Sequence, residues 1–279
     1  MTCENITTLY SSECNICGGF SNASSTNIFT EEELNIMIQG VSDGFYTAES
    51  LPIWYYQKTA EALFAGVEAG FEGILLELEF GGVDALLLTE LQTNVYAFSA
   101  AKTYQQVTQM QDLLVKYKDR PDLFYKEAKS LFNEYNTPKG KNYLSAEYTT
   151  AKGMAREAKQ WIRYERDKEK LPLLQYQTQG DGRVRPSHVE LDNIIRPVND
   201  PFWDNYAPKN GWRCRCYLIQ LDEGAETDVK DFKQPNDVPD IFMMNPYKDK
   251  IIFSPKHPYF EVAKGDKQLA LDNFNLPII

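Results

Sequence analysis

Several common signatures are missing from this chain. No run of about 18 apolar residues occurs, so a membrane-spanning helix is not expected. There is no Gly-x-Ser-x-Gly elbow, phosphate loop or dinucleotide fingerprint, which removes the commonest nucleophilic and nucleotide-binding readings. Basic residues are in deficit, 29 Lys and Arg against 40 Asp and Glu, for a formal net charge of -11. Affinity built on broad neutralisation of nucleic-acid phosphates needs the opposite balance. Histidine is confined to His188 and His257, and the five cysteines are an odd number better suited to free thiols or metal ligands than to a disulfide framework. The opening Met1-Thr2-Cys3-Glu4-Asn5 lacks the basic start and apolar stretch of a signal peptide. A soluble protein of a cytoplasm, or of a particle assembled there, is the expectation.

What is present suits a folded protein. A hydrophobic content of 43% beside 25% charged residues is ordinary for a globular chain, and 279 residues can bury a sizeable core as one large domain or two smaller ones. Residues 1–28, rich in Ser, Asn, Thr and Gly and without a period, are expected to be an irregular arm. Its Cys14-Asn15-Ile16-Cys17, with Cys3 upstream, is a weak half-knuckle signal for metal.

A helical region is expected over 29–170. Thr30 followed by Glu31, Glu32 and Glu33 is a capping-box start. Pro52 opens a second helix, with Trp54, Ala60, Leu63, Phe64 and Val67 at helical spacing until Gly70–Gly73. A third runs from Asp84 through Leu87, Leu91, Val95 and Phe98 towards Leu114, with or without a break near Ser99. Pro121 begins a fourth, ended by Thr137-Pro138-Lys139-Gly140. The fifth carries an apolar stripe of Leu144, Tyr148, Ala151, Ala155, Ala158 and Ile162, with Glu147, Lys152, Arg156, Glu157 and Arg163 mostly off it, and should reach about Glu169.

Beyond Pro172 the texture changes to short apolar segments separated by Pro, Gly, Asn and Asp. Strands are expected at Leu173–Thr178, Cys216–Leu221 and Lys250–Phe253. The fold class is therefore α+β: a helical N-terminal half with long amphipathic helices, then a compact loop-rich α+β part over 171–279 that includes a C-terminal extension.

The chemically unusual residues lie between Tyr176 and Cys216. His188 follows Pro186-Ser187 at the start of a short helix, where the positive helix end favours a neutral imidazole, the form that binds metal. Cys214 and Cys216 would share one side of an extended segment. Together they make a candidate zinc site, with Asp181 or water as the next ligand. Three protein ligands and a water would permit hydrolysis, and four would make a structural staple. The alternative is a hydrogen-bonded histidine beside buried thiols packed on Trp212. His257, in Pro255-Lys256-His257-Pro258, looks like part of a surface turn and receives no role.

Arg183, Arg185, Arg196, Lys209, Arg213 and Arg215 form a basic cluster interleaved with Asp181, Asp192, Asp200 and Asp204. Internal ion pairing is the simpler use, and a phosphate-binding face the other. Asp200-Pro201-Phe202-Trp203 and Trp212 read as anchors pinning loops to the body, or as a protein-binding surface.

From Leu91 to Cys216 the chain resembles the Mu F-like minor head proteins, or head morphogenesis proteins, of tailed bacteriophages. The resemblance is carried by Thr93-Asn94-Val95-Tyr96-Ala97-Phe98-Ser99-Ala100-Ala101-Lys102, by Glu147-Tyr148-Thr149-Thr150-Ala151, and above all by the later block. There Asp181, Arg183, Arg185 and His188 match the family's Asp-x-Arg-x-Arg turn and histidine. Asp200-Pro201-Phe202-Trp203 and Asn210-Gly211-Trp212-Arg213-Cys214-Arg215-Cys216 follow in order. Pro208-Lys209 stands where the family usually has Pro-Pro, and Asp192-Asn193 where Gly usually follows the Leu-Asp pair. The resemblance implies a non-enzymatic virion component inside the phage head, present in the host cytoplasm during assembly. Its implied partners are the portal and other capsid proteins, with weak DNA contact in some members. The competing expectation is a metal-dependent hydrolase using His188, Cys214 and Cys216.

Overall fold

The computed structural model describes residues 28–71, 81–136, 143–230, 232 and 238–268. The expected arm with Cys3, Cys14 and Cys17, and the breaker Thr137–Gly140, lie outside the described residues. At Thr30 the expected capping box is formed: its hydroxyl accepts from Glu33 N at 3.1 Å, and Glu33 Oε2 accepts from Thr30 N at 2.8 Å. Helix α1 (Glu31–Ser42) follows, then α2 (Ile53–Gly70), α3 (Val83–Lys116), α4 (Pro121–Asn136) and α5 (Tyr143–Asp167).

Helix α3 runs unbroken for 34 residues. Ser99 and Thr103 do not interrupt it, because each hydroxyl donates back to the carbonyl four residues earlier, Ser99 to Val95 O and Thr103 to Ser99 O, both at 2.9 Å. From Phe98 to Tyr104 every residue is buried, so this segment is enclosed on all sides. Small side chains at Ser99, Ala100 and Ala101 make room for the surrounding elements.

Helix α5 carries the expected stripe through Leu144, Ala151, Ala155 and Ala158, but it also buries Glu147, Glu157, Trp161 and Tyr164. The polar side expected for Glu147 and Glu157 is thus corrected. One flank of α5 packs on α2, and its C-terminal part packs on a small sheet, so two faces leave the solvent. Gly66 and Gly70 of α2 permit the first contact. A Cβ on Gly70 would stand 2.4 Å from Lys152 O and 2.9 Å from Ala155 Cβ.

After α5 come β1 (Leu173–Gln177), the short helix α6 (Pro186–Val189), β2 (Ile195–Pro197), α7 (Phe202–Tyr206) and β3 (Tyr217–Leu221). The sheet is antiparallel in the order β2-β1-β3, with Leu174 opposite Arg196 and Gln220, and Tyr176 opposite Leu218. So small a sheet needs a covered face to be stable. Leu174, Tyr176 and Leu218 supply it, packing with Trp161, Tyr164 and Trp203. The described residues are α+β, with the long helices in the N-terminal half.

No strand forms at 250–253, contrary to expectation. Instead, Asn94 of α3 takes the place of a neighbouring strand: its Oδ1 accepts from Ile252 N at 2.9 Å and Phe253 N at 2.8 Å, and its Nδ2 donates to Phe253 O at 3.0 Å. Gln105 continues the fastening by donating to Tyr259 O and Glu261 O at 3.1 and 2.7 Å. Phe242, Met244, Ile252, Phe253 and Phe260 consequently join the core of α2, α3 and α5 rather than that of the sheet.

Candidate functional site

The turn after β1 begins the site. Asp181 accepts from Arg215 Nη1 and Nη2 at 2.8 and 2.6 Å, and from Arg183 N at 3.1 Å. The Arg215 guanidinium holds the Asp181 carboxyl far below the usual carboxylate range. Arg185 donates to Trp212 O at 2.7 Å, and Arg196 donates twice to Asp200, through Nε at 3.0 Å and Nη2 at 2.5 Å. Asp200 Oδ1 also accepts from Phe202 N at 2.8 Å, which sets the start of α7. Three guanidinium groups of the cluster therefore fasten loops to one another, as the internal-pairing reading requires.

Pro186 starts α6 and His188 points inward, 2% exposed. Its Nε2 lies 3.1 Å from Asn210 O. A carbonyl can only accept, so Nε2 carries the proton and Nδ1 presents a lone pair when the ring is neutral. That Nδ1 is 3.5 Å from both Cys214 Sγ and Cys216 Sγ. The two cysteines lie just before β3 rather than in a strand, yet their sulfurs and the His188 ring nitrogen lie within 4.8 Å of one another. Each thiol shifts the other. A hydrogen bond from Cys216 draws Cys214 down, with His188 adding to the effect, while the same bond and burial push Cys216 up.

Asn210 organises the rest. Fully buried, it accepts from Tyr176 OH through Oδ1 at 2.9 Å and donates from Nδ2 to Ala207 O at 3.2 Å. Lys209 is also buried and donates from Nζ to Cys216 O, its stem crossing α5 at Gly153. Glu157 is buried nearby, with Oε1 lacking a hydrogen-bond partner, and burial raises its carboxyl to about 7 against the pull of Lys209. Sequence placed Lys209 in the basic cluster and Asn210 in the Asn210–Cys216 motif, but gave neither of them, nor Tyr176 or Glu157, a place beside His188 and the thiols.

The remaining candidates separate. Trp203 is fully buried and donates from Nε1 to Pro197 O at 2.9 Å, pinning α7 to β2. Trp212 does not pack on the thiols: it faces Phe242 edge-on at 5.0 Å, in the helical core. Arg213, with φ 57°, donates from its amide to Thr150 of α5 at 3.1 Å. Asp181, engaged by Arg215, does not join the donor set of His188, Cys214 and Cys216.

Beside this knot opens a cleft of about 810 Å³ lined by Tyr135, Tyr143, Glu147, Arg183, Arg185, Arg213, Arg215, His257 and Tyr259. At Glu147 an ion pair with Lys102, 2.6 Å long, is closed off from solvent, and Tyr259 OH donates to the other carboxylate oxygen at 3.2 Å. Burial pushes the Lys102 ammonium down while Glu147 opposes it. His257 is no surface residue: it is 8% exposed, its Nδ1 accepts from Tyr259 N at 3.1 Å, and burial lowers it to about 4.

These features define a helical α+β protein whose loop-rich segment is closed by a His-Cys-Cys knot and ion-paired arginines. That segment falls within the match to a protein-family model described as Phage Mu protein F like protein, which covers residues 100–219. Two relatives share short stretches of sequence. The putative capsid assembly protein F of Escherichia phage Mu is 44% identical over 50 residues, 18% of this chain and 11% of that protein. The Mu-like prophage FluMu F protein of Haemophilus influenzae is 39% identical over 54 residues, 19% of this chain and 13% of that protein. The chain thus matches only a small part of either relative's length. No solved structure gives a significant match.

Proposed function

We propose that this chain is a structural component of a phage or prophage head, acting in head assembly inside the particle near the portal and in genome delivery, with the portal and other capsid proteins as partners. The observation that supports this reading is the coincidence of the family match at 100–219 with the fastened segment. The motif residues Asp181 and Arg185 each hold one loop against another, Asp200 sets the start of α7, and Trp203 pins α7 to β2. Residues spent on holding loops in one shape suit a docking module that must present a fixed surface to its neighbours. DNA contact is a lesser part of the proposal. Arg183, 79% exposed at the side chain, pairs with Asp181 through Nη2 at 3.5 Å and keeps the rest of its guanidinium open to solvent, whereas Arg185, Arg196 and Arg215 are engaged internally.

The test is an in-frame deletion of the gene in the phage or prophage that carries it, with complementation by the wild-type chain and by Trp203→Ala. Loss of infectious particles on deletion, restored by the wild type and not by the variant, is the expected result. Unchanged assembly, packaging and infectivity after deletion would overturn the reading.

A further inference from the structure

We infer that His188, Cys214 and Cys216 bind a single thiophilic divalent cation, zinc by preference, which ties together the two loops that carry them. The distances point to it. A tetrahedral zinc with bonds of about 2.3 Å to sulfur and about 2.0 Å to nitrogen sets those ligand atoms roughly 3.5 Å apart. His188 Nδ1 stands 3.5 Å from each sulfur, and all three donor atoms lie within 4.8 Å of one another. A buried imidazole that only hydrogen-bonded to a thiol would need one such approach, whereas here two sulfurs converge on one lone pair.

The surroundings fit the same ion. Asn210 O accepts from His188 Nε2 at 3.1 Å, the outer contact that fixes the ligating tautomer of a metal-bound histidine. Next to the three side chains is a cavity of about 20 Å³, also lined by Gln179, Val184 and the arginines Arg183, Arg185, Arg213 and Arg215. It is large enough for about one water, hence for a fourth ligand that is solvent. No fourth His, Cys, Asp or Glu joins the cluster among the described residues. Two thiolates neutralise a divalent charge, so the burial of all three residues carries no net ionic penalty once the metal is in place. The ligands come from α6 and from the segment before β3, 26 and 28 residues apart, so one ion would tie the two loops together.

The site is independent of the head-assembly reading and is tested on the purified full-length chain carrying Cys3→Ser, Cys14→Ser and Cys17→Ser, which leaves two thiols. Prepared under reducing conditions without chelator, it should contain about one zinc per chain by elemental analysis. Replacement by cobalt should give an intense thiolate-to-metal absorption band and tetrahedral visible bands. His188→Ala and Cys214→Ser should each lose the ion, and chelator should lower the melting temperature of the parent chain and leave theirs unchanged. Should a variant fail to fold, the cobalt spectrum of the parent still decides. Absence of metal after purification together with no cobalt spectrum on titration would overturn the inference, as would metal retained in both His188→Ala and Cys214→Ser. A Cys214–Cys216 disulfide that persists under reductant would do the same.

Discussion

Lys102 and Glu147 sit opposite each other, 0% and 2% exposed at the side chain, in the middle of a helical core. Glu147→Gln removes the countercharge and leaves an ammonium in an apolar setting, so it should cost about 3–5 kcal/mol in urea unfolding. The double variant Lys102→Met with Glu147→Leu should recover most of that, since a well-packed apolar pair can replace a buried ion pair. Equal losses in the single and double variants would show that packing rather than charge is at stake. His257 gives a pH dependence of known sign. Its folded value of about 4 lies below the ordinary 6.5, so on acidification the unfolded chain takes up the proton first. The stability held at neutral pH is full above 6.5 and is lost as the pH falls towards 4, by up to about 3 kcal/mol. His257→Asn keeps an acceptor for Tyr259 N and removes the titrating ring. Its melting temperature should therefore fall less between pH 7 and pH 4.5 than that of the parent. At this scale the sequence was partly readable. The two-residue spacing of Cys214 and Cys216 and the helix start at Pro186 are local geometry, whereas the 3.5 Å approach of His188 Nδ1 to both sulfurs is made by packing across 26 and 28 residues. The burial of His257, Lys209 and Glu157 was not legible, since it is imposed by α3, α5 and the C-terminal segment folding over residues that are polar in their own neighbourhoods.

The helices followed their local patterns, and where the elements departed from expectation, partners distant in sequence were responsible. Helix α5 shows one apolar stripe in sequence but buries a second face, because the sheet that covers Trp161 and Tyr164 is built from residues after 172. The segment 250–253 has strand-like composition, yet the amide of Asn94, some 158 positions earlier, satisfies its backbone. Asn94→Leu would leave the Ile252 and Phe253 amides without their acceptor, at a cost of about 1–3 kcal/mol per unsatisfied buried group. Hydrogen exchange should accelerate selectively over 250–260, while β1 and β3 keep their protection. Equal exchange in the variant and the parent would contradict the fastening. The crossing of α2 and α5 depends on Gly70. Gly70→Ala places a methyl against Lys152 O and should destabilise by about 1–3 kcal/mol despite the higher helix propensity of alanine. A stabilised variant would show that the helices can move apart.

Among the described residues, three clusters of buried side chains tie the parts together. One joins α1, α2, α3 and α4, a second joins α2, α3 and α5 with residues 242–260, and a third joins the end of α5 to the sheet and its loops. Residue 170 marks a change of texture in sequence, but Trp161 and Tyr164 on one side and Phe253 and Phe260 on the other cross it in packing. With an excess of acidic residues and most arginines of the cluster engaged, affinity for duplex DNA in solution should be weak and fall steeply with salt. Binding unchanged between low and physiological ionic strength would exclude phosphate contact as its source. The account as a whole stands on membership in the head. Mass spectrometry of gradient-purified particles and head precursors, from cells producing the phage or prophage that encodes this chain, is the most direct measurement. The account predicts its peptides in the particle fraction at a constant ratio to the portal protein. Their absence from heads and precursors alike, with the chain abundant in the same lysate, would contradict it.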